Sequence, residues 1–180
     1  REIPPMNRPG IPPYIVTWAD KAYLEKFEVD LAKARKAADI VVCSFHWGLH
    51  KDVLDYMKEI AHRAIDMGAD VVIGHGPHYS LGVEVYRGKP IYYGLGSFSF
   101  HTGHGGVTHG DWIGMMAKVA FGDTGVESAA FEFVRHNHDN ETYVCDLTQE
   151  EEEFLDIEKR SAEMGTQIGR EDNQVVLKLR

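Results

Sequence analysis

Between Trp18 and Ala38 the residues Leu24, Phe27, Leu31, Ala34 and Ala38 recur at three- and four-residue spacing, the period of an amphipathic helix. Thr17 and Asp20 offer an N-terminal capping pair for it. Ile40-Val-Val-Cys-Ser-Phe45 follows, a short apolar and β-branched run of the kind buried in a parallel strand. The spacing then predicts a second helix from about Asp52 to Met67, with Val53, Met57, Ile60, Ala61, Ala64 and Ile65 on one stripe and Gly68 as its stop. Asp70-Val-Val-Ile73 is another buried strand. Residues 40–73 therefore read as a β-α-β unit, whose right-handed crossover lays both strands parallel in one sheet.

After His78 the pattern changes to hairpins. Val83–Tyr86 and Ile91–Leu95 flank Arg87-Gly-Lys-Pro90, and Trp112–Phe121 and Val126–Arg135 flank Gly122-Asp-Thr-Gly125. Thr148 with Glu151 has the spacing of a capping box and opens a last helix, roughly Gln149 to Met164, with Phe154 and Leu155 expected to be buried. Residues 1–16 carry five of the seven prolines, each of which removes a backbone donor, so this stretch reads as an extended lead-in. The expected fold is α/β: a mixed sheet with a parallel β-α-β core and antiparallel hairpins. It is organised as a lead-in (1–16), a main domain (17–147) and a C-terminal helix and tail (148–180).

Composition narrows the function classes. A chain of 180 residues with 43% apolar content can build one core, and no stretch approaches the roughly 20 apolar residues of a membrane span. The net charge of -9, with scattered lysines and arginines, supplies no basic stripe for a phosphate backbone, so no nucleic acid partner is expected. Cys43 within an apolar run and Cys145 near a late strand read as two reduced structural thiols, which suits a reducing compartment such as the cytoplasm.

The chemistry is positional. His46 falls at the carboxyl end of the first strand of the β-α-β unit and His75 at the carboxyl end of the second. Ligands of open α/β sheets bind just outside those ends, so the two imidazoles are placed to share one cation. Gly74-His75-Gly76-Pro77-His78 adds a third on a tight loop. His46, His75 and His78 are the expected metal ligands, in a site of imidazoles and carboxylates that suits Zn, Mn or Fe. His62, and the polar turn carrying His136 and His138, read as satisfied or exposed imidazoles. Trp47 is expected to pack beneath the metal loop. The glycine-rich loop from Phe100 to Asp111 either closes over the site, presenting His101, His104 or Asp111 to substrate as catalytic groups, or leaves its histidines in water.

Four blocks carry a family resemblance: Asp39-Ile-Val-Val-Cys-Ser-Phe-His46-Trp-Gly48, Ala61 to Ile65, Gly68-Ala-Asp-Val-Val-Ile-Gly-His75-Gly-Pro-His78, and Gly88-Lys-Pro-Ile-Tyr-Tyr-Gly-Leu-Gly-Ser-Phe98. In order and spacing, over about residues 20–100, they resemble the capsule-synthesis (CapA, poly-γ-glutamate) branch of the calcineurin-like metallophosphoesterases. The resemblance implies the C-terminal part of that fold and a two-metal centre, with His46 and His75 at one metal and His78 at or beside the other. Two positions depart from the family pattern: His50 stands where an acidic residue is usual, and Ser97 where Asn is usual. The family's N-terminal blocks, Asp-x-His, Gly-Asp and Gly-Asn-His-Glu, are not in this sequence, so the missing half is expected in cis or from another chain.

The leading expectation is a metal-dependent, phosphoesterase-type hydrolase, complete only with that half. It would act on a small-molecule or polymer substrate, phosphoester or γ-glutamyl, in the synthesis of poly-γ-glutamate, capsule or another cell-envelope polymer. The alternative is a non-catalytic assembly or polymer-binding subunit with a structural metal site. The resemblance also brings in association with the cell envelope, beside the compartment suggested by the thiols.

Overall fold

The computed structural model describes residues 17–48, 51–99, 113–137, 139 and 141–179. The expected loop histidines His101, His104 and His109, with Asp111, His50 and His138, lie outside them. Helix α1 (Lys21–Ala37) starts where the Asp20 carboxylate accepts the Ala22 and Tyr23 amides at 3.0 and 3.2 Å, relieving two orphan donors of the first turn. Strand β1 (Val42–His46), helix α2 (Asp55–Asp66) and strand β2 (Val71–His75) then form the predicted β-α-β unit. Both strands extend as far as the histidines themselves.

β1 and β2 pair in parallel with Val42 opposite Val71 and His46 opposite His75. A hairpin of β3 (Val83–Tyr86) and β4 (Lys89–Tyr92) completes a four-stranded sheet in the order β1-β2-β4-β3, with β4 parallel to β2 and antiparallel to β3. Its turn is the two residues Arg87 and Gly88, with φ of 50° and 75°, a tighter connection than the four-residue loop expected.

A second, antiparallel sheet is built on β5 (Ile113–Gly122) and β6 (Gly125–His136). β7 (Thr142–Val144) and β9 (Gln174–Leu177) both pair with β6, and β8 (Ile168–Glu171) pairs with β9. The sequence pattern predicts no strand after residue 164. The tail forms this hairpin because Val175 and Leu177 bury against the inter-sheet core.

The last helix, α3 (Glu151–Glu163), corrects two expectations. No capping box forms between Thr148 and Glu151. Asp146 instead accepts the Thr148 amide at 2.9 Å and starts a short 3-10 turn, Leu147–Gln149, ahead of the helix. Leu155 is 49% exposed, and the buried stripe runs through Phe154, Ile157 and Ser161, the three- and four-residue steps that a single helix face requires.

The core has two halves divided by the first sheet. On one face Leu31, Met57, Ala61, Ala64 and Ile65 of α1 and α2 cover Cys43, Val72, Ile91 and Tyr93. On the other, Val71, Val83 and Tyr92 meet Ile113, Met115, Phe131 and Phe133 of the second sheet and Phe154 and Ile157 of α3. The buried Tyr92 hydroxyl donates to the Ala130 carbonyl at 2.9 Å across that interface. At the strand starts, Asp70 is 7% exposed and accepts from the Val41 amide (2.9 Å), Arg35 (2.7 Å) and Lys89 (3.0 Å). Burial opposes its charge, but these donors outweigh it and hold the carboxyl below its usual range.

The two edges of the first sheet differ. At β3 the Val83 amide donates to Ser161 Oγ at 3.1 Å and the Val85 amide to Thr166 Oγ1 at 2.7 Å, so side chains cap that edge. At β1 no strand among the described residues pairs with the outer edge, and Val42 is 49% exposed although its neighbour Val71 is buried. Among the described residues no helix is long and apolar enough to cross a membrane. Cys43 and Cys145 are free and buried, as the sequence suggested.

Candidate functional site

His46 and His75 end neighbouring parallel strands in register and on the same face. Both are exposed. Their Nδ1 atoms face each other at 3.2 Å, and the rings meet edge to face with centroids 5.2 Å apart. Ser44, two residues earlier on β1, places its Oγ 3.1 Å from His75 Nε2. The hydroxyl can donate to or accept from that nitrogen, so the contact orients the His75 ring whichever tautomer it holds.

The strand ends are held in place by the residues between the histidines. The Trp47 amide donates to the His75 carbonyl at 2.9 Å, and its indole N–H to the Tyr93 carbonyl at 2.9 Å. The indole, 7% exposed, stacks on Phe45 at 4.8 Å. It therefore packs beneath the loop, as expected. Gly74 is what lets it in: a Cβ there would lie 2.2 Å from the Tyr93 carbonyl oxygen and 2.3 Å from the indole nitrogen. Gly76, at φ +122°, turns the chain over His46, and a Cβ on it would stand 2.6 Å from the Trp47 carbonyl oxygen.

The three expected ligands do not form one cluster. Among the described residues no group of three or more His, Cys, Asp or Glu is placed to hold a metal ion. His78 turns the other way, its Nδ1 3.1 Å from Oγ of the buried Ser97. It lines a cleft of about 210 Å³ with Lys51, Tyr79, Ser80, Ile113, Glu153 and Asp156. The loop is fixed in this course because Ser80 bridges Leu95 and its Oγ donates to the Ile113 carbonyl at 3.0 Å. Ser97, one of the two departures from the family pattern, thus touches an expected ligand directly.

In Nδ1–Nδ1 separation alone, His46 and His75 are compatible with a shared cation. Two nitrogens bound at about 2.1 Å with bond angles near 90–110° stand about 3.0–3.4 Å apart, and the observed separation of 3.2 Å lies in that interval. His62 is satisfied structurally, with Nε2 2.9 Å from both carboxylate oxygens of Glu84, which also accepts the Tyr93 hydroxyl at 2.6 Å. That buried acid was invisible to the sequence reading, since Glu84 lies in a strand whose alternation gives no sign of a partner on α2.

A mixed α/β domain with paired histidines at the carboxyl ends of adjacent parallel strands is the class of protein these features define. The chain belongs to the bacterial capsule synthesis protein PGA_cap family, which matches residues 4–102. It is 40% identical over 99 residues to the PGA biosynthesis protein CapA of Bacillus subtilis (strain 168), covering 54% of this chain and 24% of that protein. It is 42% identical over 64 residues to a probable polyglutamine synthesis accessory protein of Mycobacterium tuberculosis (strain ATCC 25618 / H37Rv), covering 34% of this chain and 17% of that one. The capsule biosynthesis protein CapA of Bacillus anthracis is 38% identical over 68 residues, 37% of this chain and 16% of its own length. The matched stretches thus span about a quarter or less of these relatives.

Proposed function

We propose that this chain is the histidine-bearing part of a metal-dependent hydrolase of the phosphoesterase type, acting in the synthesis of capsular poly-γ-glutamate or a related cell-envelope polymer. The observation that carries the reading is the His46–His75 pair, 3.2 Å apart at the ends of two parallel strands, with Ser44 Oγ beside His75 Nε2 orienting the ring. Zn, Mn or Fe suits such imidazoles, and a divalent cation there would polarise a phosphoryl or acyl centre and acidify a bound water. The chain's own part is positional. Trp47 and Gly74 lock the two strand ends together, and Gly76 closes the loop over His46. A catalytic His101 or His104 would come from the loop at 100–112, and a second cation and the remaining ligands from that loop, from upstream residues or from another chain.

The experiment is elemental analysis of the purified chain beside its His46→Ala and His75→Ala variants, with circular dichroism as the control for folding. Each variant is expected to lose bound metal and keep its fold, because both side chains are exposed. Unchanged stoichiometry in His75→Ala refutes the ligand role. Hydrolysis of a phosphodiester by the chain joined to its upstream half separates a catalytic site from the structural metal site of an assembly subunit.

A further inference from the structure

The cleft beside His78 is absorbed by none of the roles above. It lies between residues 78–80, Lys51, Ile113 and the first turns of α3. By sequence the acidic run Glu150–Glu153 reads as a solvated helix start favoured by the helix dipole, but its members have separate fates. Glu150 is gripped by Arg135 through two bonds of 2.7 and 2.6 Å, Glu151 is paired with Arg170, and Glu152 is exposed. Glu153 is half-buried in the cleft wall, and no hydrogen bond or ion pair reaches its carboxylate among the described residues. Asp156, one turn on, is held by Arg160 at 2.9 Å. Burial pushes the Glu153 carboxyl above its usual range, beyond what Arg135 and Lys51 offset, so an added cation at this wall would be welcome. The Tyr79 ring already carries a cation, with Lys51 Nζ 5.2 Å from its centroid.

The cleft thus sets the Glu153 carboxylate, an acceptor for an ammonium group, beside the Lys51 ammonium on the Tyr79 ring, which suits a carboxylate. We propose that it binds the amino-terminal residue of a γ-linked glutamate chain. This rests on the polymer assignment above and is independent of the metal. In a γ-linked chain every α-carboxylate is free, so the first residue carries an ammonium and a carboxylate on one carbon. In an α-linked peptide that carboxyl is consumed by the amide. The terminal ammonium is also the polymer's one positive charge. A chain of net charge -9 repels the polyanion along its length and can hold it at that end.

The test is calorimetric titration of the 180-residue chain in EDTA with tri-γ-glutamate, its N-acetylated form and tri-α-glutamate. Acetylation and α-linkage are each expected to weaken binding at least tenfold. Glu153→Gln should bring the free trimer down to the level of the acetylated one and leave the acetylated one unchanged. Lys51→Met should remove the preference for the γ-linkage. Equal affinity for free and acetylated trimer, no binding of either, or a Glu153→Gln variant that still discriminates between them overturns the proposal. Metal content measured on the same protein without chelator reports on the hydrolase reading separately, so either can fail alone.

Discussion

Replacing Gly74 by alanine tests the idea that the strand ends are locked by a side chain passing where a Cβ would be. The new carbon would lie 2.2 Å from the Tyr93 carbonyl oxygen, 2.3 Å from Trp47 Nε1 and 2.8 Å from Trp47 Cε2. Ordinary contact needs a retreat of roughly 1 Å. The carbonyl belongs to backbone at the end of β4 and the indole is wedged against Phe45, so neither yields freely. Overpacking of this kind costs about 1–3 kcal/mol. If the indole moves, its buried N–H loses the 2.9 Å bond to Tyr93, worth about another 1–3 kcal/mol when a donor is left unsatisfied. Relief of glycine's backbone entropy returns only about 0.5–1 kcal/mol, so the clash wins and the net loss is about 1–5 kcal/mol. In a domain of this size that lowers Tm by roughly 2–20 °C. Gly169→Ala is the control, because nothing lies within 4 Å of its Cβ position; it should be neutral or slightly stabilising. Urea midpoints of the three proteins decide the matter. A Gly74→Ala midpoint equal to that of Gly169→Ala would refute the argument.

Other outcomes follow from burial and charge. Asp70 has a lowered folded carboxyl pKa, so its contribution is present above the unfolded value of about 3.9 and is lost as pH falls through the folded one. Asp70→Asn should cost on the order of 2 kcal/mol at pH 7 and flatten the decline in stability below about pH 4; parallel pH profiles for the two proteins would contradict this. Burial, helped by the Glu150 carboxylate, pushes the Cys145 thiol up to about 12. Native alkylation at pH 8 should therefore run roughly a thousandfold slower than in the denatured chain, and comparable rates would show the thiol to be unburied. Ile157→Ala should cost about 2–5 kcal/mol and Leu155→Ala under about 0.5 kcal/mol, an order that chemical denaturation would reverse if the helix face were misassigned.

The β-α-β unit was legible because its signals are local: two apolar runs, a helical stripe between them, and a histidine at the end of each run. Parallel pairing then leaves His46 and His75 side by side, and the observed register does so. His78 was harder. Sequence spacing gives a loop residue no direction, and its course is set by Ser97, 19 positions away, and by the Ser80–Leu95 bridge. The β8–β9 hairpin escaped for a related reason. Its strands have four residues each, too few for a periodic signal, and they are stabilised by pairing with β6 from a distant part of the chain. The start of α3 was displaced by competition between neighbours, since Asp146 takes the Thr148 amide that a capping box would have used differently. Glu153 shows the opposite failure: the acidic run was noticed, but which of its members faces a cavity depends on where Arg135 and Arg170 sit.

The unequal edges of the first sheet give it a direction of growth. At β3 two backbone donors are consumed by Ser161 and Thr166, so a newcomer strand finds no free ladder there. The outer edge of β1, with no partner strand among the described residues, is where an added strand could dock. A strand docking there would run beside Ser44 and His46, within reach of the imidazole pair. Lengthening the sheet and supplying further groups to the histidines would then be a single act of assembly, and any polypeptide able to do the first would be positioned to do the second.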